Sequence, residues 1–554
     1  MLAFSVSTLA QVLSLYAASW IISKLLKRFV IKSPLDVLAG PPSESFLTGN
    51  IGQLLDVSGW AFNRHILQRY GGAIRVKGVL GARVLVISDP KALHHVLVKD
   101  QYDYEPIGFI SRNAVYFGPG LLGTLGEQHK KQRRMMNPVF SINHMRGMIP
   151  LFYEVTERLR TTLTRKVKDG PQELDILWWM TRTALELIGQ SGMGYSFDPL
   201  VDDRDHHPYP RSIKKLSLLM GGPFGFITNQ IVFPFAANFD FPRLKRFIVD
   251  HTPMRRVQEI TEVVDLMHKT TLDIIQAKKN AMNSSDPAVV AEMMEKKDII
   301  TILMKANLLA EEGDRLSDEE VCGQVSTFVL AGMETTSSAL SRILQLLASH
   351  PDVQTKLRNE IREAQANGRL TYDQLVSLPY LDAVCRETLR VYPPINNTAA
   401  RTARKDMALP LSKPVLGADG KEVTEIMVPE GTDVIVSVLG SNTNPDLWGA
   451  DALEWKPERW LSPLPGAVGE AHMPGIYSHL MTFLGGSRAC IGFKFSQLEM
   501  KVVLSVLLSS FQLEAAKKHE ITWKMTGVAG PYVDSLDNTR PQLPVILSLV
   551  DGGL

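Results

Sequence analysis

Apolar residues recur every three or four positions along most of the chain between residues 130 and 400. This spacing places them on one face of an α-helix and predicts a mainly helical protein. Clear examples are Phe152–Leu163, Val257–Ile275 and Ile299–Leu309. The chain has 554 residues, enough to bury a large core, and no internal repeat or long low-complexity tract interrupts it.

Shorter stretches alternate between apolar and polar residues, as half-buried strands do. Val76–Pro90 is rich in β-branched residues, contains glycine turns and predicts a hairpin. Thr424–Val438 is similar, with Pro429-Glu430-Gly431 as a turn, and the tail after Ile521 is again strand-like. We therefore expect a mainly α protein with small β-sheets near its two ends, of the α+β class.

The strongest helix signal begins at Leu316-Ser317-Asp318-Glu319-Glu320. Ser317 as N-cap and Glu320 three residues later form a capping box. The apolar pattern then continues to about Ser349, and Pro351 ends it. A helix of this length is expected to cross the whole domain.

Small residues and hydroxyls meet in the middle of this helix, at Ala331-Gly332-Met333-Glu334-Thr335-Thr336. Ala331 and Gly332 leave one face bare, so that a bulky group can approach. Glu334 and Thr335 on the next turn suit proton delivery to a bound oxidant. The alternative is a threonine that only donates to its own helix backbone.

Met1–Ser23 carries no charged residue and is rich in Leu, Ala, Val and Ile. At about 1.5 Å per residue it can cross a bilayer core of roughly 30 Å. Four basic residues follow it and none precedes it, which predicts a single N-terminal anchor over 1–23 with the remainder in the cytosol. A removable signal peptide is the alternative. The next segment, 24–45, contains Ala39-Gly40-Pro41-Pro42-Ser43 and predicts a stiff basic hinge.

Charge and cysteine content exclude some classes of function. Sixty basic and 58 acidic residues give a net charge of +2, so there is no bulk electrostatic case for nucleic acid. Cys322, Cys385 and Cys490 are too widely spaced for a disulfide framework or a zinc finger, which fits a reducing compartment. Cys322 and Cys385 fall within helical patterns and are expected to pack.

Cys490 has a more specific setting: Phe483-Leu484-Gly485-Gly486-Ser487-Arg488-Ala489-Cys490-Ile491-Gly492, directly before an apolar periodic run. A lone cysteine usually packs, but this one is expected at a helix start, where free N–H groups favour a thiolate. A thiolate can be the axial ligand of haem iron and then promotes O–O cleavage. The glycines allow a flat partner to approach, and Arg488 is placed to bind an anion such as a haem propionate.

This stretch, F-x-x-G-x-R-x-C-x-G, resembles the haem-binding loop of the cytochrome P450 family of haem-thiolate monooxygenases. The resemblance implies that fold, in one large catalytic domain over 46–554, with haem b as cofactor and Cys490 as the axial ligand of its iron. Ala331-Gly332-Met333-Glu334-Thr335 matches the family's A/G-G-x-D/E-T motif. That match implies that Thr335 supports oxygen activation and that Glu334 helps relay protons.

Further matches to the family lie elsewhere in the chain. Glu387-Thr388-Leu389-Arg390 matches its E-x-x-R helix, and Pro457-Glu458-Arg459-Trp460 matches its P-E-R-W/F element. They imply a buried charge network of Glu387, Arg390 and Arg459. Gly126–Arg134 resembles the W-x-x-x-R helix, with His129 at the tryptophan position and Arg133 as a propionate ligand. The remaining residues that the resemblance places at the cofactor are Arg401, Phe483, Ala331 and Gly332.

The same resemblance outlines a substrate pocket, lined by Ile107–Leu122, Met220–Phe241, Phe328 with Ala331, Ile395–Thr398 and Gly527–Tyr532. The second segment is unusually aromatic and suits a pocket roof, a membrane-dipping surface, or both. Such an entrance favours a lipophilic substrate. The His129 variant and the Gly-Pro-Pro-Ser hinge look like fungal members of the family, which often oxidise terpenoids in secondary metabolism.

The expected activity is hydroxylation with O2 and electrons from an NADPH-cytochrome P450 reductase, because no flavin or nicotinamide domain is visible. Cytochrome b5 is a second candidate partner, and Lys130, Lys131, Arg134 and Lys494 are candidate contacts. The expected location is the endoplasmic reticulum membrane, single-pass, with a cytosolic catalytic domain. Three alternatives stay open: a haem-thiolate isomerase or dehydratase without a reductase, a haem-binding sensor or carrier, and a monooxygenase of fatty acids or aromatic xenobiotics. Intact Glu334-Thr335 argues against the first two.

Overall fold

The computed structural model describes residues 31–204, 206–233 and 241–550, together with the single positions 19 and 236. Apart from position 19, the expected anchor at 1–23 lies outside these residues. Within them, no helix is long and apolar enough to cross a bilayer. In the described part of the hinge, Leu35 and Leu38 are buried and Asp36 forms an ion pair with Arg83 at 2.7 Å. Residues 34–38 therefore pack against the catalytic part.

Helices dominate, as the periodicity predicts. Those of nine or more residues in the described part are α1 (Trp60–Tyr70), α2 (Ile107–Phe117), α3 (Gly126–Met136), α4 (Ile142–Val167), α5 (Ile176–Ile188), α6 (Tyr209–Leu219), α7 (Pro242–Asp250), α8 (Arg255–Met282), α9 (Pro287–Glu295), α10 (Ile299–Leu309), α11 (Asp318–Ser349), α12 (Pro351–Ala364), α13 (Pro379–Val391) and α14 (Phe493–Ser510). The predicted helices at 152–163, 257–275 and 299–309 lie in α4, α8 and α10 and are confirmed.

Short helical segments connect these helices. They are Pro34–Val37, Ile51–Leu54, Val79–Gly81, Pro90–His94, His95–Lys99, Asn137–Phe140, Gly189–Met193, Gly222–Ile227, Thr228–Val232, Glu312–Asp314, Gln365–Asn367, Tyr372–Ser377, Val438–Asn442, Pro445–Trp448, Pro457–Leu461, Gly466–Glu470 and Gly486–Arg488. Several lie next to the residues that the resemblance places at the cofactor, so loops and single turns build much of that region.

The strands are β1 (Ala73–Lys77), β2 (Arg83–Ile87), β3 (Tyr104–Glu105), β4 (Gln172–Asp175), β5 (Arg401–Ala403), β6 (Met407–Leu416), β7 (Glu422–Val428), β8 (Asp433–Val436), β9 (Phe511–Ala515), β10 (Ile521–Lys524), β11 (Gly530–Val533) and β12 (Pro544–Leu549). The largest sheet has the order β1-β2-β8-β5-β3, a second has β4-β12-β9, and β6 with β7 and β10 with β11 form pairs. The predicted hairpin is β1–β2, with Lys77 opposite Arg83. β7 and β8 flank the predicted turn but join different sheets.

α11 begins and ends where the sequence predicts. Ser317 accepts from the amide of Glu320, and the Glu320 carboxylate accepts in return from the amide of Ser317. Most of α11 is buried, and the segment that follows α2 lies directly on it. A Cβ on Gly323 would come within 2.4 Å of the backbone nitrogen of Gly120, so only two glycines allow this approach. The contact fixes α2 relative to α11.

A buried charge network forms as the resemblance implies. Glu387 and Arg390 are fully buried on α13, and the two carboxylate oxygens accept from Nε and Nη2 of Arg390, each at 2.8 Å. Arg459 Nε and Trp460 Nε1 add bonds of 3.3 and 2.9 Å to the same carboxylate. This bidentate, fully bonded arrangement is the kind in which a buried ion pair is tolerated.

The network braces the segment that leads to Cys490. Arg390 Nη1 donates to the carbonyl of Asn442 at 3.2 Å. The Asn442 side chain accepts from the amide of Met481 at 2.7 Å and donates to Thr482 Oγ1 at 2.8 Å. The cysteine loop starts at the next residue, so its starting point depends on α13.

Replacing Glu387 by Gln should lower the free energy of unfolding by roughly 3–5 kcal/mol, because Arg390 would keep a buried charge without its carboxylate. Haem content should fall with it. Glu458→Gln is the matched control: its side chain is 44 % exposed and pairs with Lys356, so its loss should cost about 1 kcal/mol or less. Denaturant unfolding of both variants measures the difference, and equal costs would show that the network does not hold this region.

Candidate functional site

The cysteine loop places Cys490 just before α14. Gly492 is the N-cap of that helix, and the amide of Cys490 donates to the carbonyl of Phe483 at 2.9 Å. Gly486 has φ of +69°, and a Cβ there would meet the carbonyl oxygen of Leu97 at 1.8 Å. Gly486 therefore serves both the turn and the close approach of the loop to 95–99.

Cys490 lies inside the molecule, yet its side chain is not covered. A probe the size of water can reach the side chain, so it counts as exposed. Protein nevertheless surrounds the sulfur on most sides, and this burial raises the pKa of the thiol. Both observations hold if the sulfur borders an interior space. The backbone of Gly492 and the charge of Arg133 lower the pKa by less. The expected preference for the thiolate is therefore outweighed by desolvation, and a bound metal ion would have to stabilise the anion.

α11 presents a bare face to this interior. Ala331 is exposed and Gly332 and Thr335 are partly exposed, although the turns on both sides are buried. Thr336 Oγ1 lies 3.4 Å from Ser496 Oγ in the first turn of α14, so α11 meets the helix that follows Cys490. The two uncovered positions, Ala331 and Cys490, therefore flank one interior space.

Thr335 and Glu334 point to different neighbours. Thr335 Oγ1 donates to its own helix, to the carbonyl of Ala331 at 2.7 Å, which is the bond that the alternative interpretation of this threonine expects, and the residue is partly exposed. Glu334 is buried, and its Oε1 lies 2.9 Å from Lys214 Nζ of α6, which also donates to Ser337 Oγ at 3.1 Å. The sequence did not reveal Lys214, because no local pattern links a lysine on one helix to an acid far along the chain.

Three arginines and a histidine gather at the edge of the site. Arg133 Nη1 donates to the carbonyl of Ala489 at 2.6 Å, and Arg488 Nη2 donates to that of Thr124 at 2.8 Å. Arg401 Nη1 donates to the carbonyl of Tyr104 at 3.2 Å, but its buried Nε has no partner. A pocket between them is lined by Gln101, Tyr102, Glu105, Pro106, Gly126, His129, Arg401, Ser487 and Arg488.

This cluster carries more positive charge than its surroundings balance. Burial lowers the pKa of Arg401 to about 10, with Arg488 as the second cause, and lowers that of Arg488 to about 10. Burial, then the charges of Arg488 and Arg133, lower the pKa of His129 to about 3, so its ring is neutral. Glu105 is the carboxylate of the pocket, and it already pairs with Arg404 at 2.8 Å.

These residues fit haem b. Cys490 could hold the iron, and the bare turn at Ala331 and Gly332 leaves room on the opposite side for a flat ring. Arg133, Arg401 and Arg488 could hold two propionates, which would supply the acceptor that Arg401 Nε lacks. Phe483 supports the loop, with its ring 5.4 Å from that of Tyr477 and 6.2 Å from that of Phe493.

Segments that the resemblance assigns to the substrate pocket meet around α11. Ser338 Oγ donates to the carbonyl of Ala529 at 2.6 Å, and the amide of Ala529 donates to the carbonyl of Pro394 at 2.8 Å. On the other side, α2 packs on Thr228–Val232, and the rings of Tyr116 and Phe233 lie 5.0 Å apart. The expected pocket segments at Pro394 and Ala529 therefore lie against α11, and α2 lies against the segment that leads to Phe233.

Of the basic residues expected at a reductase contact, Lys130 and Arg134 are exposed, Lys131 and Lys494 are partly buried, and most have a partner. Lys130 lies 2.6 Å from Glu127, and Arg134 lies 3.3 Å from Asp314. Lys131 donates to the carbonyl of Arg315 at 2.6 Å. Lys494 lies over the ring of Phe493 at 5.5 Å.

Comparison with known proteins agrees with this geometry. The family model described as Cytochrome P450 matches residues 40–531. Cytochrome P450 monooxygenase 91 of Postia placenta is 50 % identical, over 96 % of this chain and 97 % of that protein. Cytochrome P450 monooxygenase 81 of the same fungus is 48 % identical, over 95 % of each chain. Ganoderic acid synthetase of Ganoderma lucidum is 43 % identical, over 95 % of this chain and 96 % of that protein. This chain therefore belongs to the cytochrome P450 family and is a haem b-dependent monooxygenase.

Proposed function

We propose that this monooxygenase hydroxylates a lipophilic terpenoid in fungal secondary metabolism, with electrons from a separate NADPH-cytochrome P450 reductase. The interior space between Cys490 and Ala331, with the aromatic pair Tyr116–Phe233 in its surround, carries the proposal. A relative that shares 43 % identity over nearly its whole length is named for the synthesis of ganoderic acid, a terpenoid. Cytochrome b5 is a second proposed electron donor.

In this proposal the chain's residues hold the cofactor at two places. When bound, haem b supplies the oxidant that inserts one atom of O2 into a carbon–hydrogen bond. Cys490 would hold the iron, and Arg133, Arg401 and Arg488 would hold the propionates. His129 would donate one hydrogen bond to the same anionic groups.

Proton supply is proposed for two neighbouring residues of α11. Thr335 is partly exposed on the bare face of α11, and its hydroxyl oxygen would accept a hydrogen bond from a proton donor there. Glu334 is the adjacent acid, and its contact with Lys214 at 2.9 Å links it to α6. Lys214 is thus a positioning residue for Glu334.

Thr335→Ala should uncouple oxygen consumption from product formation, because the proton that commits oxygen to product is no longer held in place. Product per O2 consumed should fall by about tenfold or more, with hydrogen peroxide released instead. Thr336→Ala removes the next hydroxyl, which contacts Ser496 and not the open side, and should leave the ratio unchanged. Product, O2 and peroxide are measured together, and unchanged coupling in Thr335→Ala would remove its proposed role.

We also propose that the protein is a single-pass protein of the endoplasmic reticulum membrane, anchored by 1–23, with a cytosolic catalytic domain. Exposed apolar side chains support the membrane contact. Phe247 and Ile248 of α7 and Phe241 directly before it are 57, 53 and 62 % exposed. Phe46, near the hinge, is 66 % exposed. Basic side chains on the same helix, Lys245 and Arg246, suit an interfacial position.

The sequon at Asn283-Ser284-Ser285 tests this topology, because Asn283 is exposed at the end of α8. In a cytosolic domain it should stay unmodified while the protein sediments with the membranes. Glycosylation of Asn283 in eukaryotic cells would place the domain in the lumen, and deletion of 2–23 should reduce membrane binding.

Feeding experiments in yeast test the proposed function. The full chain is co-expressed with a fungal reductase, and triterpenoid, diterpenoid, sesquiterpenoid, fatty-acid and aromatic substrates are supplied in parallel. Mass spectrometry should detect a terpenoid heavier by one oxygen atom that depends on both the reductase and Cys490, with Cys490→Ser as control. Oxidation of only fatty acids or aromatics would refute the substrate class. An isomeric or dehydrated product formed without reductase would indicate the isomerase or dehydratase instead.

A further inference from the structure

Arg112 is a partly buried cation for which the described residues provide no counter-charge. It lies in the middle of α2, whose other residues are mostly apolar, and no Asp or Glu of the described chain forms an ion pair with it. Burial lowers the pKa of its guanidinium to about 10, and Tyr116 is the group that acts in the opposite direction. The guanidinium is still charged at neutral pH, and no carboxylate of the described residues balances it.

The hydrogen bonds of Arg112 are also incomplete. Its Nη2 donates to Asn113 Oδ1 at 3.3 Å, its Nε is buried without a partner, and the ring of Phe109 lies 4.9 Å from the guanidinium carbon. Asn113 is 1 % exposed, and its Nδ2 is likewise buried without a partner. Two adjacent donors without acceptors are costly, which indicates that an acceptor belongs beside them.

The segment that packs on α2 contains an unfilled acceptor. Asn229, in Thr228–Val232, has a buried Oδ1 without a hydrogen-bond partner. Tyr116, one turn after Arg112, packs its ring against Phe233. The interface between α2 and this segment therefore combines apolar rings with unfilled polar atoms on both sides.

The position of α2 places these groups above the cofactor site. Glu105 and Pro106, just before α2, line the pocket of Arg401 and Arg488. After α2, the carbonyls of Leu121 and Thr124 accept from Arg488 at 3.5 and 2.8 Å. The residues just before and just after α2 therefore both contact the arginine cluster.

The segment after α2 also contacts α11. The amide of Leu121 donates to Gln324 Oε1 at 3.0 Å, and Gln324 lies two turns before Ala331 on α11. α2, which carries Arg112, is therefore held between the arginine cluster and α11, next to the interior space.

We infer that Arg112 and Asn113 bind a carboxylate of the substrate, which makes the substrate an amphipathic acid with one carboxylate on a large apolar skeleton. The inference deepens the proposed function and rests on it, because it concerns the same interior space. A carboxylate presents two coplanar oxygens that match the parallel N–H groups of a guanidinium. A neutral alcohol would leave the buried charge unbalanced. Fixing one end of the skeleton would also select which carbon reaches the haem.

The test compares acids with their methyl esters, so that each pair of ligands differs only in the carboxylate. A diterpene acid, a triterpene acid and a long-chain fatty acid are titrated into the haem-loaded full-length protein at neutral pH, by calorimetry and by the haem spectral shift. In the wild type at least one acid should bind about 10- to 100-fold more tightly than its ester.

Variants assign that preference to Arg112. Arg112→Gln should abolish it and leave the Kd of the ester unchanged. Asn113→Asp is a nearly isosteric second variant that supplies an internal counter-ion, and it should also weaken acid binding. Arg255→Gln is the matched control, since Arg255 is 92 % exposed, and it should keep the wild-type ratio.

Equal affinity for acid and ester in every pair of the wild type would overturn the inference. An acid preference that persists in both Arg112→Gln and Asn113→Asp would overturn it as well. Neither measurement requires turnover, so failure here differs from failure of the proposed function. The latter would appear as absence of terpenoid oxidation in the yeast experiment, whatever the acid–ester ratio.

Discussion

Positive charge enclosed without a matching negative charge is the constraint on which this structure depends. Arg133, Arg401 and Arg488 converge at one edge of an interior space, where burial depresses the pKa values of Arg401 and Arg488 to about 10. Glu105 balances only part of that charge, because it already pairs with Arg404. A dianionic ligand would balance this charge, and the two propionates of haem b fit that requirement.

The other enclosed charges fall into two groups, those with partners within the protein and those without a carboxylate partner among the described residues. Glu387, Arg390 and Arg459 satisfy one another and nearby backbone groups, and they brace the residues that precede the cysteine loop. Among the described residues, no carboxylate pairs with Arg112. Buried pairs that are complete within the protein stabilise the fold, whereas incomplete ones are candidates for completion by a ligand. By this distinction we propose the propionate cluster and Arg112 as ligand sites, and the α13 network as a structural one.

Local signals in the sequence were sufficient for several features. The capping box at Ser317 and the proline at 351 defined α11, and the glycine-rich pattern located the loop of Cys490. Other features of the site depend on packing between parts of the chain that are far apart in sequence. The pKa of the Cys490 thiol is raised because desolvation by distant parts of the chain outweighs the local helix start. The contact of Lys214 with Glu334 and the unfilled donors of Arg112 depend on which helices meet, which periodicity does not contain.

Local sequence patterns also do not predict how the strands pair into sheets. The sequence predicts the turn at Pro429-Glu430-Gly431, but β7 and β8 on its two sides pair with strands of different sheets. Strand pairing depends on parts of the chain that are far apart in sequence, such as β2, which lies parallel to β8. Motif resemblance succeeded where periodicity did not, because it identifies residues that meet only in the folded chain.

The carbon monoxide spectrum of the reduced full-length protein tests most directly that Cys490 and the arginine cluster form a haem-thiolate site. The wild type should give the thiolate-type spectrum, and Cys322→Ser, at a half-buried cysteine of α11, should retain it. Cys490→Ser should lose that spectrum. A folded wild-type protein that binds no haem, or a Cys490→Ser variant that keeps the thiolate-type spectrum, would contradict the account.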